Sequence, residues 1–173
     1  SHLGRGGRMR ADLVALLALA LCGGASAQLV PTSPDWQEAQ VSAPPLKTEG
    51  LVPVDVPGSD LPWAVDPSSI TLGDDGIVRY VVVATSTSGA VNTFYEGLRC
   101  THQHVKVYAR HAGGNGSWTQ AQDPQWRPVV GASSRHSLEI ARAGACKDRA
   151  VNSPVSRIVR ELSAPKSSLY EYR

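Results

Sequence analysis

The sequence lacks any apolar run long enough for a membrane span, any of the short catalytic signatures, and all but a few cysteines. The longest apolar stretch, Leu13 to Leu21, falls short of the roughly 20 residues that crossing a bilayer requires. Gly-x-Ser-x-Gly, His-Glu-x-x-His and a glycine-rich phosphate loop are all missing, so no standard hydrolase, zinc-protease or nucleotide-binding template applies. The 3 cysteines contain no Cys-x-x-Cys pair, which leaves no dithiol redox motif. Nucleic-acid binding has only a mild basic bias in its favour.

What is present begins with a sorting signal. Met9-Arg10, the apolar run and Ala25-Ser-Ala27 form the basic, hydrophobic and small-residue regions of a secretory signal peptide, with cleavage expected after Ala27. Residues 1–27 are therefore expected to be upstream residues plus signal, and the mature chain to be exported to the periplasm or beyond. Leu19-Ala-Leu-Cys22 also approaches a lipobox, although Leu21 stands where a small residue is wanted. Lipidation of Cys22 at the outer membrane is the minor alternative.

Loss of this segment leaves Cys100 and Cys146 together in an oxidising compartment, where one intramolecular bridge is expected. Such a bridge stabilises by about 4 kcal/mol on the chain-entropy model, less any strain. Thiolate ligation or a redox couple remains the alternative. The charges are sorted along the mature chain. From Gln28 to Asp75 eight carboxylates face Lys47 alone, and from Gly76 onward thirteen cations face six carboxylates, net charges of −7 and +7. The basic part suits anionic lipid head groups or acidic polysaccharide; the simpler reading is that the acidic leader folds over its own basic domain.

Residues 28–61 form a proline-rich acidic leader, within which Trp36 and Leu51 to Val56 are apolar enough to dock. A single domain is expected over 62–164 and a short tail over 165–173. Ser69 to Leu72 reads as a first strand and Asp74-Asp-Gly76 as a turn. Ile77 to Thr85 is β-branched almost throughout and reads as a central strand covered on both faces. Val91 to Arg99 follows after a break at Ser86 to Gly89, and Val105 to Arg110 alternates as a strand with one wet face. Ser117 to Gln120 adds a short strand, while Trp126 to Val130 leads away from the sheet. Ser134 to Ala145 is read as a helix. The clearest helix has Ser153 as N-cap, Pro154 in the first turn, and Val155, Ile158, Val159 and Leu162 at i, i+3, i+4 and i+7, ending before Pro165. The expected fold is α+β: an antiparallel meander of about four or five strands, two C-terminal helices on one face, and one disulfide.

The meander residues Asp75-Gly-Ile-Val-Arg-Tyr80, Gly89, Asn92, Tyr95-Glu-Gly-Leu-Arg-Cys100 and Lys106-Val-Tyr-Ala109, with Trp118, Trp126 and Cys146 after them, resemble the cryptic neisserial protein one-like family of small exported bacterial proteins. The resemblance covers roughly Trp63 to Arg160. It implies an envelope location and the two-cysteine arrangement, and brings no established activity.

Candidate site residues cluster around Tyr95 to Cys100. On a strand Glu96 and Leu98 share one face while Tyr95, Gly97 and Arg99 share the other. A buried cross-strand pair of Arg79 with Glu96 is the simpler structural reading, and Gly97 points to a bulge or a close backbone approach. The functional reading is a binding surface of Arg79, Tyr95, Glu96, Arg99 and Trp118, making the protein a non-enzymatic binding or assembly-supporting module with no cofactor, engaging an envelope protein or an anionic envelope component. A small hydrolase using Glu96 with His102 or His136 is the alternative. A third reading is metal: Cys100, His102 and His104 would point one way on an unbroken strand, with His111 or His136 as a fourth ligand.

Overall fold

The structure, a computed structural model, describes residues 35–114 and 116–165. The expected signal peptide and the tail from Lys166 lie outside the described residues, and the described residues from Trp36 onward fall in one compact unit.

The central strand is as apolar as its sequence promises. β3 (Val78–Thr85) is buried from Val78 to Ala84 because both its neighbours and both its faces are covered. It pairs antiparallel with β2 (Trp63–Leu72) and with β4 (Val91–Arg99). The turn between β2 and β3 closes through Gly76, whose N–H donates to Gly73 O at 3.0 Å and whose φ of +76° suits glycine. β5 (His104–His111) completes the meander on β4.

Further strands extend the sheet to seven in the order β1-β2-β3-β4-β5-β6, with β7 also on β5. β1 (Val52–Val54) comes from the apolar part of the leader and pairs with the start of β2. β6 (Trp118–Gln120) and β7 (Arg127–Pro128) share the outer edge of β5. Trp126 to Val130 thus touches the sheet where the sequence suggested departure, and Pro128 sits on an edge strand that tolerates its missing donor. β2 is also longer than Ser69 to Leu72. It begins at Trp63 and passes Pro67 through a register shift between Asp66 and Thr71. Ser69 repairs that gap: its hydroxyl donates to Asp66 O at 2.6 Å and accepts from Val81 N–H at 2.8 Å.

The helices cover one face. α1 (Arg135–Ile140) runs into a π-helical turn at Ala141–Ala145, then a two-stranded hairpin of β8 (Cys146–Lys147) and β9 (Ala150–Val151) leads to α2 (Val155–Ser163). α2 starts one residue later than its sequence suggests, with Pro154 in the N-cap position and no side-chain cap. Ile158 and Leu162 are its buried residues, and they join Ile140, Val65, Val78, Val82 and Leu98 in the main core. Cys100, just past β4, is bonded to Cys146, just past the π turn, with Cα atoms 5.7 Å apart. The disulfide therefore ties the sheet to the helical layer.

The other face carries a smaller cluster of Val81, Tyr95, Tyr108 and Ala109, covered by Val41, Ala43 and Leu46 of the leader. Register separates the faces. Opposite Tyr95 stands Ala109, but opposite Glu96 stands Val107, so Tyr108 is an extra residue in β5, a bulge. Its ring lies against Gly97, where a Cβ would meet the Tyr108 ring and Ile77 at 2.8 Å. The glycine is there for that close approach.

Candidate functional site

Glu96 is the hub of the helix-side face. It stands opposite Tyr80 in the β3–β4 register, and the start of α1 brings two more donors above it. Tyr80 Oη donates to Oε2 at 3.0 Å, Ser137 Oγ donates to Oε2 at 3.0 Å, and His136 Nε2–H donates to Oε1 at 2.8 Å. The carboxyl is 1% exposed, so these three bonds replace its water. Burial first, and the Glu96 carboxylate second, push the Tyr80 hydroxyl well above the ordinary tyrosine range; Tyr80 stays a neutral donor.

Glu96 fixes the imidazole. With the proton held at Nε2, His136 turns Nδ1 away from the carboxylate, and Nδ1 makes no hydrogen bond among the described residues. The ring stacks on Trp63 at 4.0 Å and 5°, and Phe94 lies 6.1 Å from it. Arg110 in turn places its guanidinium 4.9 Å from the Phe94 ring centre.

A cleft of about 230 Å³ opens over this group, lined by Glu96, His136, Ser137, Arg110, Arg127 and Asp123 among others. One wall is the loop before α1, held by Ser134 Oγ donating to Pro128 O at 3.2 Å and Val129 O at 3.0 Å. Arg110 and Arg127 are exposed, and neither forms an ion pair among the described residues. His136 also borders a second cleft with Trp63, Ser59 and Arg135. One cleft is thus bordered by two guanidinium forks without ion pairs, Arg110 lying also over Phe94, by an imidazole anchored through Nε2, and by the Asp123 carboxylate.

Catalytic geometry is less complete. In a nucleophilic triad the histidine bridges serine and acid, whereas here Glu96 bridges His136 and Ser137. Ser137 donates its hydroxyl hydrogen bond to the carboxylate and is fully buried.

The residues singled out from sequence divide between the two faces. Arg79, Tyr95, Arg99 and Trp118 meet on the face away from the helices, under the leader; Glu96 is alone on the other. The expected Arg79–Glu96 pair does not form, because Arg79 stands opposite Gly97 and points to the opposite face. Its guanidinium instead makes a two-point ion pair with Asp75, at 2.5 and 3.1 Å, both side chains 2% exposed. Tyr95 packs on Tyr108 and Trp118. Arg99 stacks over Trp36 at 3.9 Å, and Trp118 donates from Nε1 to Pro44 O at 2.8 Å.

The alternation of Cys100, His102 and His104 is broken. β4 ends at Arg99, a turn carries Cys100 to Gln103, and β5 starts at His104. Cys100 is committed to its disulfide, the His102 and His104 rings lie 6.3 Å apart, and His111 uses Nδ1 to accept from Gly113 N–H. Among the described residues no group of three or more His, Cys, Asp or Glu is placed to hold a metal ion.

Sequence reasoning passed over Tyr80, Ser137, Trp63, Arg110 and Arg127. Tyr80 and Glu96 were recoverable as a cross-strand pair from the hairpin register; the rest depend on where α1 lands.

The fold and site together define a disulfide-stapled α+β domain with an antiparallel sheet, a helical layer on one face and its own leader on the other. The chain belongs to the CNP1-like family, which it matches over residues 32–163. No curated protein and no solved structure matches it.

Proposed function

We propose that this is an exported, non-catalytic binding module of the cell envelope that takes an anionic group into the cleft over His136. The carrying observation is the pairing of an anchored His136 with the unpaired guanidiniums of Arg110 and Arg127 around one cleft. A phosphate or carboxylate of a lipid head group or acidic polysaccharide supplies the matching chemistry. Export rests on the signal-like segment and the paired cysteines, and the disulfide fits an oxidising compartment.

Equilibrium titration of the mature protein with inorganic phosphate and with an oligosaccharide of uronic acids tests the reading. Saturable binding to either, lost in Arg110→Ala/Arg127→Ala, is expected; equal binding by wild type and double variant would contradict it.

One observation favours a second reading, a hydrolase in which His136 acts as general base. Its hydrogen bond to Glu96 and its free Nδ1 are those of an oriented base. Turnover of an ester substrate that disappears in His136→Ala would favour hydrolysis over binding.

A further inference from the structure

The leader crosses the sheet as a strap, residues 36–46, held by side chains and not by a strand ladder. Trp36 Nε1 donates to Asp75 O at 2.8 Å, and Ala39 N–H donates to Asp75 Oδ2 at 2.9 Å. Glu38 Oε2 accepts from Lys106 Nζ at 2.8 Å and from Trp126 Nε1 at 3.2 Å. Further along, Trp118 fixes Pro44 O, and Val41, Ala43 and Leu46 fill the gaps over Val81, Tyr95, Tyr108 and Ala109. An aromatic residue, an acid two positions on and spaced apolar residues are thus read by a prepared face, the manner in which linear peptides are recognised.

The fit is incomplete. Glu38 Oε1, Arg79 Nε and Tyr108 Oη are buried without partners at this junction, and a cavity of about 260 Å³ lies between Glu38 and Val41 of the strap and Lys106 and Tyr108 of the sheet. The connection from the strap to β1, residues 47–50, is exposed, and of its side chains Lys47 donates from Nζ to Ser68 Oγ at 2.7 Å. Gly50 has a φ of +68° with no atom near its Cβ position. Charge favours the seating at one point, where Glu38, the one charged residue of the strap, meets Lys106.

We propose that the strap is exchangeable between molecules: a second copy of this chain seats its residues 36–46 on this face, giving a strap-exchanged dimer. Every contact of the closed monomer is remade between copies, so no new surface has to be complementary. The tethered strap competes at an effective concentration on the order of millimolar, so exchange appears when the protein is concentrated to that level.

Isotope mixing tests this on the full chain. Equal amounts of ¹⁴N- and ¹⁵N-labelled protein are incubated at millimolar concentration, treated at that concentration with a carbodiimide, which joins a carboxylate to an amine in contact, and then separated by size. The Glu38–Lys106 cross-link is then read by mass spectrometry. The expected result is mixed-isotope cross-links in statistical proportion in the dimer fraction and same-isotope cross-links in the monomer. A synthetic peptide of residues 36–46 in excess should lower the mixed fraction. No dimer, a dimer with same-isotope cross-links only, or a mixed fraction unmoved by the peptide would each overturn the proposal.

Discussion

At the scale of the residue, Glu96 concentrates the most interaction in the least space. Its alternation with Leu98 put those two on one face from sequence alone, without saying that the helices cover that face, and His136 and Ser137 lie 40 and 41 residues away, a distance no local pattern spans. Replacing the carboxylate strands three donors. Glu96→Ala is expected to destabilise by at least about 3 kcal/mol, from the cost of leaving buried polar groups unpaired, measured by urea denaturation. Glu96→Gln, which keeps the shape, should cost less; an alanine variant within about 0.5 kcal/mol of wild type would show that the hub is not structural. Gly97 was legible as a site of close approach, though not the bulge at Tyr108 that causes it. Gly97→Ala should cost about 1–3 kcal/mol by overpacking, since its Cβ would collide with the Tyr108 ring at 2.8 Å.

At the scale of the element, the strap shows why proline content misleads. Its prolines do exclude a ladder, yet Trp36 signalled docking because an isolated linker has no use for an indole. The surface to which it docks carries Arg79, Tyr95, Arg99 and Trp118, and the sequence offers both a partner and the chain's own leader as its cover. Two carboxylates hold it. Burial opposes the ionisation of Glu38, but the bond and charge of Lys106 and the bond from Trp126 outweigh it and keep its carboxyl below the ordinary value. Asp75 behaves alike: burial is outweighed by Arg79 and the N–H groups of Ala39 and Ile77. Folded values below the unfolded ones mean that this stabilisation is complete above the ordinary carboxylate range and is lost as pH falls through the folded values. Three of the four indoles report it, because Trp36, Trp118 and Trp126 bond across the strap while Trp63 donates to Ser59 Oγ. In ¹H–¹⁵N spectra the three should shift together below about pH 4 and Trp63 should lag; four indoles moving in step would point to global unfolding instead.

At the scale of the whole molecule, the meander, the helical face and the disulfide were legible because each rests on local signals: β-branched runs, i, i+3, i+4 spacing, and two cysteines left over. The length of β2 was not, since Pro67 interrupts the pattern and Ser69 repairs it only in three dimensions. Removing the staple with Cys100→Ser/Cys146→Ser should cost about 4 kcal/mol in the denaturation midpoint and slope, while the sheet signature in circular dichroism persists. The site itself was half legible. Glu96 and His136 could be named, whereas Arg110 and Arg127 looked like ordinary surface charges until the bulge and β7 turned them toward one cleft.

The most direct test of that cleft is the His136 ring itself, followed by ¹H–¹⁵N and ¹H–¹³C NMR while inorganic phosphate is added at constant pH and ionic strength. The account predicts saturable shifts at the His136 ring and at the Arg110 and Arg127 side chains with a common midpoint, absent in Arg110→Ala/Arg127→Ala. Linear, unsaturating drift, or the same shifts in the double variant, would contradict an anion site over Glu96.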